Sequence, residues 1–114
     1  MRCLVAKLAD VPEGQGTAVE AAGYSVVLFR IGPHVHALRN RCPHAGAPLS
    51  IGRLRGRELT CAWHGWAFDV TTGESFPRNP PFDITTYPVT IEAGDIWLEL
   101  PEHSGPEDQP TATP

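Results

Sequence analysis

Cys42 and His44 stand one residue apart in "CPHAGAPL", and Cys61 and His64 stand two apart in "CAWHGW", with sixteen residues between the two groups. Each group offers one thiolate and one imidazole, and each has a glycine close by, Gly46 or Gly65, where backbone can approach closely. Three chemistries use such residues. A Cys–His nucleophile needs one thiol, one base and a third group to orient the base, drawn from distant chain positions. Two near-identical half-sites are redundant for that task. A mononuclear zinc site takes two thiolates and two imidazoles in a closed tetrahedron. Its familiar spacing puts both cysteines first and both histidines last, on a helix; here the types alternate on turn-like loops. A [2Fe–2S] cluster takes the same four donors when two histidines replace two cysteines on one iron.

The remaining residues must bring these two loops together. Twelve prolines and eleven glycines in 114 residues leave little room for helix, and the apolar periodicity is short and of period two. "RCLVAKL" predicts a first strand, closed by the "DVPEGQG" turn. "TAVEAA" and "YSVVLFRI", separated by Gly23, predict two more, and Gly32-Pro33 turns the chain into "HVHALRN" as a hairpin. "LTCAWHGWAFDV" holds a strand approach, a break at Gly65 and a strand ending at "TTGE". "TTYPVTIE", a turn at Ala93-Gly94-Asp95 and "IWLEL" predict a closing hairpin. Roughly seven to nine short strands with turn signals make an all-β protein, an antiparallel sandwich or barrel. It forms one domain over residues 1–101. "EHSGPEDQPTATP" is polar, proline-rich and without aromatics, so residues 102–114 are expected to be a disordered tail.

A net charge of −4 argues against a molecule built to grip nucleic acid or an anionic membrane. Five of the nine basic residues (Arg39, Arg41, Arg53, Arg55 and Arg57) fall between 39 and 64, where Glu58 is the only acid. That segment stands at +4 and the remainder at −8. Arg53, Arg55 and Arg57 alternate along "GRLRGRE" as on one solvent-facing edge strand, and are candidates for docking an acidic partner. His34, His36 and His103 have no cysteine near them and read as ordinary surface or edge residues. Cys3 alternates with Val5 and reads as a small buried hydrophobe. No apolar run approaches the ~20 residues that span a bilayer, and "MRCLVAKLADVPEG" lacks the pattern of a secretory leader. The expectation is a cytoplasmic monomer whose cysteines serve metal binding or catalysis rather than disulfides.

"CPHAGAPL" followed by "CAWHGWAFDVTTGE" resembles the Rieske ferredoxins and the Rieske domains of ring-hydroxylating oxygenases, and the likeness runs from "LADVPEG" to "IWLEL". The resemblance implies a Rieske fold: an antiparallel β base with a cluster-binding subdomain, about residues 40–81, inserted between its strands. It implies one Rieske-type [2Fe–2S] cluster per chain. Cys42 and Cys61 would bind the inner iron, and His44 and His64 the outer iron near the surface. Trp63 and Trp66 are candidates for covering the cluster. Pro80 and Pro81 would cover it from a third, proline-containing loop, "FPRNPPFD". The function implied is that of the ferredoxin component of an aromatic-ring dioxygenase system. Such a protein takes one electron from a flavin-dependent ferredoxin reductase and passes it to a terminal oxygenase, and is not itself an enzyme. Two rival readings stand beside it: the Rieske-type small subunit of another reductase, such as nitrite reductase, and a zinc-stapled β module for protein interactions.

With both irons ferric, the sulfides, thiolates and neutral imidazoles leave a formal charge of about zero, against about −2 for an all-cysteine cluster. An added electron therefore costs less, one reason histidine ligation lifts the potential to ~−150 to +300 mV. High-potential relatives carry a further cysteine in each loop, joined as a disulfide; Ala47 and Trp63 stand at those positions here. Such relatives also aim serine and tyrosine hydroxyls at sulfur, where this chain has Trp66 and Phe68. Fewer donors to sulfur leave the more negative reduced state less stabilised. A redox titration should find the midpoint near the bottom of the ~−150 to +300 mV range; a midpoint well above zero would overturn the low-potential reading.

Overall fold

The computed structural model describes residues 1–42, 46, 48–61, 66–76 and 83–101. Turn residues cut this chain into short strands. Among the described residues these are β1 (Arg2–Lys7), β2 (Gly16–Ala21), β3 (Tyr24–Ile31), β4 (His34–Arg39), β5 (Arg53–Arg55), β6 (Glu58–Thr60), β7 (Ala67–Asp69), β8 (Ser75–Phe76), β9 (Thr86–Tyr87), β10 (Val89–Glu92) and β11 (Asp95–Glu99). No α-helix lies among the described residues.

The run "YSVVLFRI" has no polar face, and an apolar strand of that length needs cover on both sides. The fold supplies it. β3 lies in a four-stranded antiparallel sheet of order β2-β3-β4-β9. Val26 and Leu28 point into one core, with Val35, Ala37, Tyr87, Ile96 and Leu98. Val27 and Phe29 point into the other, with Leu38, Leu49, Leu59, Phe68, Cys42 and Cys61. All four β3 side chains are fully buried, each worth about 1.5–3 kcal/mol relative to exposure. A three-stranded sheet, β1-β11-β10, covers the first core. A second four-stranded sheet, β5-β6-β7-β8, covers the other and falls between β4 and β9 in chain order. It is the inserted unit, and both thiols lie on its side of β3.

Two turns are built from Ala-Gly pairs. Ala22-Gly23 joins β2 to β3, and Ala93-Gly94 joins β10 to β11, with φ of 54° and 85° in the first and 53° and 81° in the second. Positive φ at both central residues is the two-residue hairpin turn whose twist matches the flanking strands. Gly32, at φ 60°, opens the Gly32-Pro33 hairpin between β3 and β4.

The structure departs from the sequence expectations at three points. "TTYPVTIE" is two strands, not one: Pro88 has no N–H to donate to a ladder, so β9 pairs β4 in the central sheet and β10 pairs β11 in the outer one. The Pro88 carbonyl still accepts from Glu99 N at 3.0 Å. "GRLRGRE" also divides, because Gly56 at φ 62° turns β5 back into β6. These breaks help raise the strand count to eleven among the described residues. Asp95 belongs to β11 rather than to the preceding turn. Cys3 is half-buried and packs with Val5 on the first core, while residues 102–114 lie outside the described residues.

An alanine held in the left-handed region costs about 1–2 kcal/mol relative to right-handed backbone. Ala22→Asn and Ala93→Asn, which create Asn-Gly turns, should each stabilise the protein by about 0.5–1 kcal/mol in denaturant unfolding. A loss of stability in both would contradict these turn geometries.

Candidate metal centre

Both thiols are deep. Cys42 is 0% and Cys61 2% exposed, and no disulfide joins the cysteines. They share one apolar core, walled by Val27, Phe29, Leu38, Leu49, Leu59 and Phe68. Separate elements deliver them. Cys42 follows β4, and Cys61 follows β6 at the base of the β6–β7 hairpin.

The backbone around each thiol is closed by hydrogen bonds. Gly46 N donates to the Cys42 carbonyl at 2.7 Å. Gly46 has φ 79°, and a Cβ there would stand 3.3 Å from the Arg41 guanidinium, so both conformation and space favour glycine. In the second loop Cys61 N donates to the Trp66 carbonyl at 2.7 Å, one step beyond the Thr60–Ala67 pair. Each cysteine is thus fixed at the base of a short loop, and each loop carries one histidine in sequence. His44 and His64 themselves lie outside the described residues, as do Trp63, Pro80 and Pro81. Trp66 is half-buried and packs against the core that holds both thiols.

This arrangement fits a metal centre. A thiolate in an apolar core is costly without a compensating cation, and two thiols reach this core from different loops. The surroundings also bear on charge. Phe68, where the sequence reading places a tyrosine in high-potential relatives, is fully buried and carries no hydroxyl, so its ring offers added negative charge only apolar surface.

Residues 77–82 of the third, proline-containing loop lie outside the described residues, and Ile84, just past them, is buried in the core that holds both thiols. Ile84 N donates to the Gly73 carbonyl at 2.7 Å, and Ser75 N to Asp83 Oδ1 at 3.4 Å. Gly73, at φ 83°, lies so close to the Ile84 carbonyl oxygen that a Cβ has no room. The turn before it is organised by buried Asp69, whose Oδ1 accepts from Thr71 N at 2.9 Å and Thr71 Oγ1 at 2.6 Å.

The arginines do not form one row. Arg53 and Arg55 flank inward-facing Leu54 on edge strand β5 and are exposed. Arg57 sits past the Gly56 turn and pairs with Asp69 Oδ2 at 3.2 Å. His34 is exposed, as expected. His36 is half-buried, and burial first, then the neighbouring His34, lowers its pKa, against a pull upward from Asp69. His36 lines an open cleft of about 380 Å³ with Thr71, Thr86 and Tyr87; no candidate ligand is among the described lining residues.

The sequence reading passed over Asn40, whose Oδ1 accepts from Ser50 N at 2.9 Å. Its signal was a polar residue between the apolar end of β4 and Cys42. It likewise passed over Asp69, a lone acid after an apolar strand.

A profile of the Rieske [2Fe-2S] domain family matches residues 1–88. The ferredoxin component of the naphthalene 1,2-dioxygenase/salicylate 5-hydroxylase systems of a Ralstonia species is 38% identical over 93 residues, covering 82% of this chain and 89% of that protein. The ferredoxin of carbazole 1,9a-dioxygenase from Nocardioides aromaticivorans IC177 superposes with a TM-score of 0.80 at 30% identity, covering 86% of this chain and 96% of that one. A Mycobacterium tuberculosis protein described as a "putative NADH-dependent nitrite reductase small subunit" superposes with a TM-score of 0.77 at 25% identity, covering 86% of this chain and 93% of that one.

Replacing a thiol at the base of the second loop tests the centre directly. Cys61→Ala should purify without bound iron, while Cys3→Ala should keep the wild-type iron content by metal analysis. Full iron in Cys61→Ala would contradict the site.

Proposed function

We propose the function from one premise: the chain belongs to the Rieske [2Fe-2S] domain family. As a member it carries a Rieske-type [2Fe–2S] cluster and serves as an electron carrier rather than an enzyme. When bound, the cluster takes up and gives back one electron. In our reading the donor is a flavin-dependent ferredoxin reductase and the acceptor a terminal ring-hydroxylating oxygenase. Support comes from relatives that are ferredoxin components of dioxygenase systems. The observation that carries the reading is the pair of buried thiols at the bases of two closed, histidine-bearing loops.

We assign Cys42 and Cys61 as ligands of the inner iron, and His44 and His64 as ligands of the outer one. The thiols are held inside the core, away from water. The apolar wall of Phe68 and Leu49 disfavours extra negative charge, which supports a potential low in the family range. Trp63, Trp66, Pro80 and Pro81 are assigned to limiting water access. The proposed setting is the cytoplasm; among the described residues no helix is long and apolar enough to cross a membrane.

Likeness to a nitrite reductase small subunit supports a second reading, in which the acceptor is another reductase. This chain has all four ligand-type residues, Cys42, His44, Cys61 and His64, so electron transfer is retained in either case.

Arg53 and Arg55 are assigned to docking, with Ile51, 58% exposed, beside them. Arg57 is engaged with Asp69 and is a poorer candidate. Exchanging rim charges acts on association rate and salt dependence. Arg53→Glu with Arg55→Glu should slow electron delivery to the oxygenase by about tenfold at low salt, with a flattened salt dependence. The visible spectrum and midpoint should be preserved. An unchanged rate would remove this surface from the docking assignment.

A further inference from the structure

We infer that Asn40 is a positioning residue for the cluster, clasping the two ends of the first ligand loop through its side-chain carbonyl; this rests on the ligand role proposed for Cys42. The loop leaves β4 after Arg39 and ends at a 3-10 turn, Leu49–Ile51. Asn40 is anchored first, its N–H donating to the Ser25 carbonyl at 3.0 Å. Its Oδ1 then accepts from Ser50 N at 2.9 Å, ten residues along the chain. One hydrogen bond therefore spans the whole loop and fixes the distance between its ends.

A second contact holds the same residue. A Cβ built on Gly16 would stand 2.9 Å from Ser50 Cα and 3.0 Å from its carbonyl oxygen. The start of β2 thus lies bare against the turn, and Ser50 has no room to move that way. Leu49, one residue before it, is fully buried in the core that holds Cys42 and Cys61. Movement of Ser50 would shift Leu49 and hence the packing around both thiols. Asparagine suits the place because its amide oxygen accepts without adding charge. A carboxylate two residues from Cys42 would oppose the arriving electron.

Asn40→Ala tests the clasp, because it leaves the Ser50 N–H without its acceptor. In the holoprotein, hydrogen exchange at Ser50 should accelerate about tenfold, and cluster loss to a chelator by a similar factor. The electron paramagnetic spectrum of the reduced protein should change shape. Asn40→Asp, which keeps Oδ1, should restore the exchange rate and the spectral shape while lowering the midpoint. Gly16→Ala, with Asn40 intact, presses on Ser50 and should change the spectrum as Asn40→Ala does; it replaces that variant if Asn40→Ala does not fold. Unchanged Ser50 exchange and spectrum in the tested variant would overturn the inference, as would failure of Asn40→Asp to restore them. A wild-type protein without iron would instead defeat the functional proposal, and Ser50 exchange would still decide the clasp.

Discussion

Two thiols enclosed in an apolar core are the constraint on which the rest of this structure depends. A buried thiolate needs a compensating cation, and a buried loop needs its backbone polar groups satisfied. Both needs are met by local closure. Gly46 N turns back on the Cys42 carbonyl, Cys61 N on the Trp66 carbonyl, and Asn40 Oδ1 on Ser50 N. Irregular backbone can therefore reach the core without leaving these groups unpaired. Cys42 and Cys61 stand at fixed points of the fold, and each is followed within three residues of sequence by a histidine.

The layering follows from the same constraint. β3 is buried on both faces, so it separates two cores. The outer sheet β1-β11-β10 completes one of them and contains one cysteine, half-buried Cys3, and no histidine. The inserted sheet β5-β6-β7-β8 completes the other and brings Cys61 to it. The outer and inserted sheets thus share one strand as the wall between their cores. The inserted unit also carries exposed Arg53, Arg55 and Arg57 in a chain of net charge −4.

Much of this was legible in the sequence because the signals are local. "YSVVLFRI" declares a strand and Gly32-Pro33 a hairpin, and the motifs around the two Cys–His groups point to the family and its cofactor. What was not legible depends on partners distant in the chain. Pro88 reads as an interruption, but only the pairing of β9 with β4 and β10 with β11 shows that the chain changes sheets there. Arg57 reads as one of a row until Gly56 turns the chain and Asp69 engages it. Asn40 looks like a loop residue until Ser50 is found against it. The bareness of Gly16 and Gly73 is likewise explained by Ser50 and Ile84, which approach from other segments of the chain.

The central claim is that Cys42, His44, Cys61 and His64 together hold a two-iron, two-sulfide centre. It is tested most directly by iron and acid-labile sulfide analysis of protein purified without oxygen, joined to electron paramagnetic resonance after dithionite reduction. The account predicts a red-brown protein with two irons and two sulfides per chain, and a reduced signal whose average g lies below the free-electron value. A colourless protein containing one zinc and no sulfide would contradict it.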